Sequence, residues 1–262
     1  MKKPVLHYRK LSEAGAPLIA LHGLFGSLEN LGMITSRLAA KYQVYAIDLP
    51  NHGNSPAIET MTIASMCGMI YQWMNAVGIA KAHFLGHSLG GKVCMEMSLI
   101  YPDWVDSLIV ADIAPVNYPP RHHHVFEALR AVDLATIEKR GEAEQQMAAY
   151  ITDTATRRFL LKNLIKVDNR WQWRINLDGI EADYLQLLAA NSSDRPPYRQ
   201  ATLFIKGERS DYLLPAYHRQ IFARFPKASI QTIANTGHWL HAEAPDEFVA
   251  IVEQFLGLYQ PQ

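Results

Sequence analysis

The sequence predicts an α/β protein: a mostly parallel central sheet with helices on both faces and one helical module inserted into it. Three observations carry this. Short apolar runs rich in Val, Ile and Leu alternate with longer segments of helical period. The apolar runs lack the in–out alternation of a half-solvated strand, so they read as strands covered on both faces. Hydrophobic residues make up 49% of the 262 residues and charged residues 19%, a balance that excludes disorder and suits a large core. At about 150 residues per domain, the length leaves room for one large domain or two small ones.

In chain order, an apolar run at 17–21 (PLIAL) is followed by helical period over 31–41. The run at 42–49 (YQVYAIDL) is followed by helical period over 62–77, and 81–85 (KAHFL) by 89–101. After 107–112 (SLIVAD) the alternation stops. It resumes with strand-like 201–206 (ATLFIK), helical 215–224, strand-like 228–234 (ASIQTIA) and helical 246–259. The stretch 116–200 between them reads as helices with little strand character, entered through Pro115, Pro119 and Pro120 and left through NSSDRPPYRQ. This predicts a core of residues 1–115 and 201–262 with a helical lid at 116–200.

In a parallel sheet the reactive groups lie in the loops that leave the carboxyl ends of strands. One such loop reads Gly86-His87-Ser88-Leu89-Gly90 and runs directly into a helix. A serine on so sharp a turn needs tiny neighbours at two residues' distance, which Gly86 and Gly90 supply, and its hydroxyl is pushed above the sheet at a helix amino end. A hydroxyl is a weak nucleophile and needs a base. Of the 11 histidines, His238 in Asn235-Thr236-Gly237-His238 follows the last apolar run and stands at the same sheet edge. His241 reads as packing or capping the next segment. Charge developing on a substrate oxygen calls for backbone N–H donors. Leu89 offers one, and the loop His22-Gly23-Leu24-Phe25-Gly26 offers the other through Leu24, with Phe25 as runner-up.

With HGLFGS at 22–27, DLPNHGNS at 48–55, GHSLGGK at 86–92 and GHWLHAE at 237–243, the chain resembles the α/β-hydrolase superfamily from end to end. More narrowly, the NHGNSP loop, the DIAPVNY stretch at 112–118 and the GHWLHAEAP ending are similar to the small bacterial esterases of the YbfF type. The superfamily resemblance implies a triad acid after the strand preceding the histidine strand, in a G-x-x-D-x-x-x-P pattern. Here that loop reads Gly207-Glu208-Arg209-Ser210-Asp211 with Pro215 beyond. Counted from Gly207 the acid's place falls on Ser210; counted back from Pro215 it falls on Asp211. The YbfF-type resemblance instead implies Asp112, one strand earlier. Both loops lie on the reactive edge, so Asp112 and Asp211 stand as the two candidates, with Asp178 in the lid behind them.

Other features have plainer readings. The Asp48–Ser55 loop reads as a tight turn beneath the site, with Gly53 permitting the backbone and Asp48 and Asn51 bonding local amides. His122, His123 and His124 point about 100° apart on a helix and cannot share one ion, so they read as a solvated lid terminus. Arg158, Lys162 and Lys166 recur every fourth residue opposite Leu160, Leu161, Leu164 and Ile165, which predicts an amphipathic lid helix. With Arg157 and Arg170, its basic face is a candidate for holding an anionic handle such as the phosphates of an acyl-CoA. Phe25 and Trp239 are the candidate substrate contacts, and Phe126, Phe159, Trp171 and Trp173 could line an acyl pocket with them. Cys94 and Met95 read as packing against the sheet.

Lys+Arg 25 against Asp+Glu 25 leaves no net charge, hence no field to hold nucleic acid or an anionic membrane. Two cysteines make neither a disulfide scaffold nor a zinc site. Lys2 and Lys3 could open a leader, but polar residues return before an apolar stretch forms, and no run suits a membrane helix. The expectation is a cytoplasmic serine carboxylesterase without metal or organic cofactor, acting on a small-molecule ester or thioester. Two rivals stand beside it. A menaquinone-pathway-type lyase resembles the chain at HGLFGS and GHSLGG, although Lys92 stands where such enzymes carry an arginine. A hydrolase-fold receptor with slow turnover would keep the same residues.

Overall fold

The apolar runs do become strands, and burial explains why all but the last, a half-exposed edge strand, lack alternation. In the computed structural model, which describes residues 6–258, the strands of the main sheet are β1 (Tyr8–Lys10), β2 (Pro17–Leu21), β3 (Gln43–Ile47), β4 (Ala82–His87) and β5 (Val105–Ala111), then β8 (Thr202–Gly207) and β9 (Ala228–Ile233). Between β5 and β8 the short strands β6 (Leu164–Val167) and β7 (Arg170–Trp173) form a separate hairpin. The sheet runs β1-β3-β2-β4-β5-β8-β9. All its pairings are parallel except β1 on β3. Every residue of β4 is buried. β1 escaped the sequence reading because YRK is a three-residue, half-exposed edge with no apolar run. Lys2, Lys3 and Tyr259 lie outside the described residues.

Successive side chains of a strand face opposite ways, and here each face meets its own helical layer. Ile19, Tyr45, Phe84 and Val110 pack beneath α2 (Ile63–Val77) and α3 (Leu89–Ile100). Leu18, Val44, Leu85 and Ile109 pack against α1 (Gly32–Leu38) and α11 (Pro245–Gly257). α2 begins at a capping box, in which the Thr62 side chain accepts from the Ser65 N–H. It stops at Gly78, whose φ of 77° is the left-handed conformation that ends a helix. Cys67 and Cys94 are both buried thiols.

The chain between β5 and β8 departs from the expectation in one respect. It holds α4 (His123–Ala131), α5 (Arg140–Met147), α6 (Thr154–Leu161), α7 (Leu177–Ala182) and α8 (Tyr184–Leu187), but also the β6–β7 hairpin. The basic lid helix expected to run through Lys166 therefore ends at Leu161. Asp168 and Asn169 both have positive φ, 46° and 63°, as a two-residue hairpin turn requires, so Lys166 lies on a strand with its ammonium over the Trp171 ring. The fourfold spacing of the basic residues was coincidental.

Polar contacts seat this segment on the sheet. Lys92, buried in α3, donates to the carbonyls of Val116, Leu188 and Ala189. Asn163 Nδ2 donates to the Phe25 carbonyl at 2.7 Å, and the Asn176 N–H donates to the Asn51 carbonyl at 2.9 Å. No helix among the described residues is long and apolar enough to cross a membrane. The remaining helices, α9 (His218–Arg224) and α10 (Leu240–Glu243), flank β9.

Candidate active site

Ser88 sits between β4 and α3 with φ 53° and ψ −117°, a conformation costly for any residue with a side chain. The turn closes only because its neighbours are bare. A Cβ on Gly86 would stand 2.3 Å from the Gly90 carbonyl oxygen, and one on Gly90 would stand 2.3 Å from that of Leu21. The Ser88 N–H donates to the Ala111 carbonyl at 3.0 Å, tying the turn to the end of β5. Ser88 is partly exposed, and it lines a cavity of about 830 Å³ together with His238.

Asp112, fully buried just past β5, is the carboxylate that meets the histidine. Its Oδ2 lies 2.7 Å from His238 Nδ1 and accepts from the Ser210 hydroxyl, while Oδ1 accepts from the Gly207 N–H at 3.1 Å. Held by three donors, the carboxylate keeps the proton of His238 on Nδ1 and leaves Nε2 as the basic nitrogen. Tyr212 stacks on the His238 ring with centroids 4.0 Å apart. His87 Nε2 donates to the His238 carbonyl at 2.8 Å. Asp211, by contrast, points to solvent and pairs with Arg121 at 2.7 Å. Asp178 is likewise exposed and pairs with Arg130. Of the three carboxylates considered, Asp112 is the one bonded to His238.

The loop after β2 is braced by groups that make each other's bonds. Phe25 has a positive φ of 59°, and its N–H donates to His52 Nε2 at 3.1 Å. That commitment removes Phe25 as an oxyanion donor. Leu24 and Leu89 both line the cavity. His22 Nε2 accepts from the Leu49 N–H at 3.0 Å, and its Nδ1 donates to the Gly23 carbonyl. Burial holds both imidazoles neutral, pulling His52 down to about 3 and His22 below its ordinary value. The Asp48 loop is the structural turn its sequence suggests. Asp48 accepts from the N–H groups of Leu28 and Asn54 and from His7. Burial alone would raise its carboxyl, but these hydrogen-bond donors hold it below the usual carboxylate range.

The chain matches, over residues 16–245, the family described as alpha/beta hydrolase fold. It belongs to the α/β hydrolases. Esterase YbfF of Escherichia coli is 34% identical over 242 residues, covering 92% of this chain and 93% of that protein. The mouse protein named sn-1-specific diacylglycerol lipase ABHD11 is also 34% identical, over 91% of this chain and 80% of its own. Among solved structures, a marine microorganism esterase superposes with a TM-score of 0.93 at 37% identity, over 95% of this chain and 98% of that one.

The cavity of this α/β hydrolase is mostly apolar. Phe25 and Trp239 line it, and so does Phe159 of α6, whose ring meets Trp239 at 5.4 Å. Phe126 stands behind Phe25, with ring centroids 5.3 Å apart, while Trp173 donates to the Leu129 carbonyl inside the inserted segment. Neither Trp171 nor Trp173 reaches the cavity among its described lining. Of the basic candidates, Arg158 and Lys162 stand at the rim; Arg157 instead donates to the carbonyls of Ile151 and Thr152.

One reading of the hydrolase sequence needs correction. His122 is not part of a solvated terminus: it lines the cavity, and its Nδ1 lies 2.6 Å from the Tyr184 hydroxyl. His123 and His124 are the exposed members of the triple. The error came from treating three adjacent histidines as one environment, when α4 starts at His123 and turns His122 inward. His241 is buried, as packing requires. Sequence reasoning missed Ser210 as a partner of Asp112, Tyr212 as the ring on His238, and Asn163 as the brace of the Phe25 loop. Only Ser210 carried a signal, since it occupies the acid's place counted from Gly207.

Proposed function

We propose that this hydrolase is a cytoplasmic serine carboxylesterase of small to medium acyl esters, extending to acyl thioesters, with residues 116–200 as its lid. The observation that carries the reading is the 2.7 Å bond from His238 to Asp112, with Ser88 on the strained turn facing the same cavity. His238 Nε2 takes the Ser88 proton as Oγ bonds to the ester carbonyl carbon. The oxyanion accepts from the N–H groups of Leu89 and Leu24, each worth on the order of 100- to 1000-fold in rate. Collapse breaks the bond to the alcohol, which leaves with the proton held by His238. Water, deprotonated in turn by Nε2, attacks the acyl carbon; the bond to Oγ then breaks, the carboxylic acid leaves, and His238 returns the proton to Ser88. Relatives named esterase and lipase support an ester substrate, and an apolar cavity favours acyl chains over polymers. Arg158 and Lys162 at the rim are the groups that would meet the phosphates of an acyl-CoA.

The test is steady-state hydrolysis of p-nitrophenyl esters from acetate to palmitate, with acyl-CoA substrates at low and high ionic strength, beside Ser88→Ala. Turnover that vanishes in the variant is expected, with a chain-length optimum below palmitate. For acyl-CoA alone, kcat/KM should fall as salt rises. Turnover that survives in Ser88→Ala, or none in either protein, overturns the reading.

A further inference from the structure

One wall of the cavity carries a polar device that the ester-cleaving steps do not use. The Tyr184 hydroxyl lies 3.0 Å from the Arg121 N–H, 3.1 Å from the His122 N–H and 2.6 Å from His122 Nδ1. A phenol has two acceptor sites and one proton. Both backbone N–H groups must donate, so they fill the two acceptor sites and leave the phenolic proton for His122 Nδ1. Nδ1 is therefore the acceptor of that imidazole, and its own proton sits on Nε2. Burial pulls His122 down to about 4, so at neutral pH the ring is uncharged, and its bond to Tyr184 selects this one tautomer. Its Nε2–H faces the Tyr212 hydroxyl across 3.4 Å, a long bond that a better acceptor would displace.

Tyr212 links this device to the chemistry. Its ring lies on His238, and its hydroxyl at the far end meets His122. The His122 N–H thus stands one tyrosine side chain away from the group that returns a proton to the departing alcohol. Resting on the esterase reading, we infer that His122 and Tyr212 form a polar subsite for the alcohol half of the substrate, selecting alcohols that carry a further hydroxyl near the ester oxygen. In a mostly apolar cavity such a donor discriminates, because a substrate lacking the oxygen leaves only the long Tyr212 contact in its place.

The experiment compares 2,3-dihydroxypropyl butyrate with propyl butyrate, which share an acyl chain and differ only in the hydroxyls. A parallel pair, methyl 3-hydroxybutyrate and methyl butyrate, carries the hydroxyl on the acyl half. The parent protein is expected to favour the dihydroxypropyl ester by roughly fivefold to tenfold in kcat/KM, the scale of one net hydrogen bond. The acyl pair should show no preference. His122→Phe should bring the ratio for the first pair to about one, whatever its absolute rates, and His122→Gln, which retains an N–H donor, should restore part of it. A ratio near one in the parent, a ratio unmoved by His122→Phe, or a preference found in the acyl pair instead overturns the subsite. If the parent hydrolyses none of the four esters, the esterase reading itself fails, an outcome distinct from all of these.

Discussion

At the scale of single residues, the two carboxylates that sequence left open make different predictions. Asp112 is buried and bonded to His238, whereas Asp211 is exposed and paired with Arg121. Asp112→Asn is expected to lower kcat by about four orders of magnitude, by analogy with the protease triad. Asp211→Asn should leave it within about threefold; steady-state rates on a single p-nitrophenyl ester decide, and equal losses would contradict the assignment. Ser88 and His238 were legible because each is announced by a local pattern: a glycine-flanked turn after a strand, and a histidine three residues beyond the last strand's exit turn. Asp112 was legible only by resemblance. Which of two strand-end loops reaches a third depends on loop conformation, here the positive φ of Asp112 at 53°, and spacing along the chain does not encode that. His122 was misread for a related reason, since burial is set by what packs over a residue.

At the scale of elements, the strands and the helices against the sheet were legible because each has one period and one environment. The inserted segment mixes periods: α6 gives way within three residues to β6, and the Asp168-Asn169 turn went unrecognised beneath a run of lysines and arginines. Its tie to the β2–α1 loop has a kinetic consequence. Asn163 Nδ2 holds the Phe25 carbonyl, one residue from the proposed donor Leu24. Asn163→Ala loses one buried hydrogen bond, worth about 1 kcal/mol of stability. It is expected to lower kcat by roughly tenfold by loosening the donor's position, since small misplacements cost heavily in catalysis. A thermal melt beside steady-state kinetics separates the two effects: an unchanged kcat would show that the loop holds itself.

At the scale of the whole molecule, the buried imidazoles couple the fold to pH. His52 and His241 are pulled down to about 3, by burial first and then by neighbouring histidines. The unfolded chain binds protons at these positions below about pH 6.5, whereas the folded chain refuses them until about pH 3, so stability is lost as pH falls through that window. Each group steepens the loss by about 1.4 kcal/mol per pH unit at most. The melting temperature should drop clearly between pH 7.5 and pH 5, as differential scanning calorimetry would show. A flat profile would mean that these rings become charged without unfolding.

The carboxylate beside His238 has an evolutionary corollary. Ser210 Oγ and His238 Nδ1 converge on one atom, Asp112 Oδ2, so position 210, in the loop after the adjacent strand, is a second address from which a carboxyl would lie near the same imidazole. A lineage moving its acid from one to the other needs two substitutions, and their order matters. Losing Asp112 first would strip His238 of its bonded carboxylate. Gaining an aspartate at 210 first sets two carboxyl groups side by side, where like charge forces them to share a proton, and one of them still faces the histidine. The serine now at 210 is the neutral occupant of that second address, and its Oγ also accepts from the Tyr212 N–H at 3.2 Å, tying the ring-bearing residue to the same carboxylate.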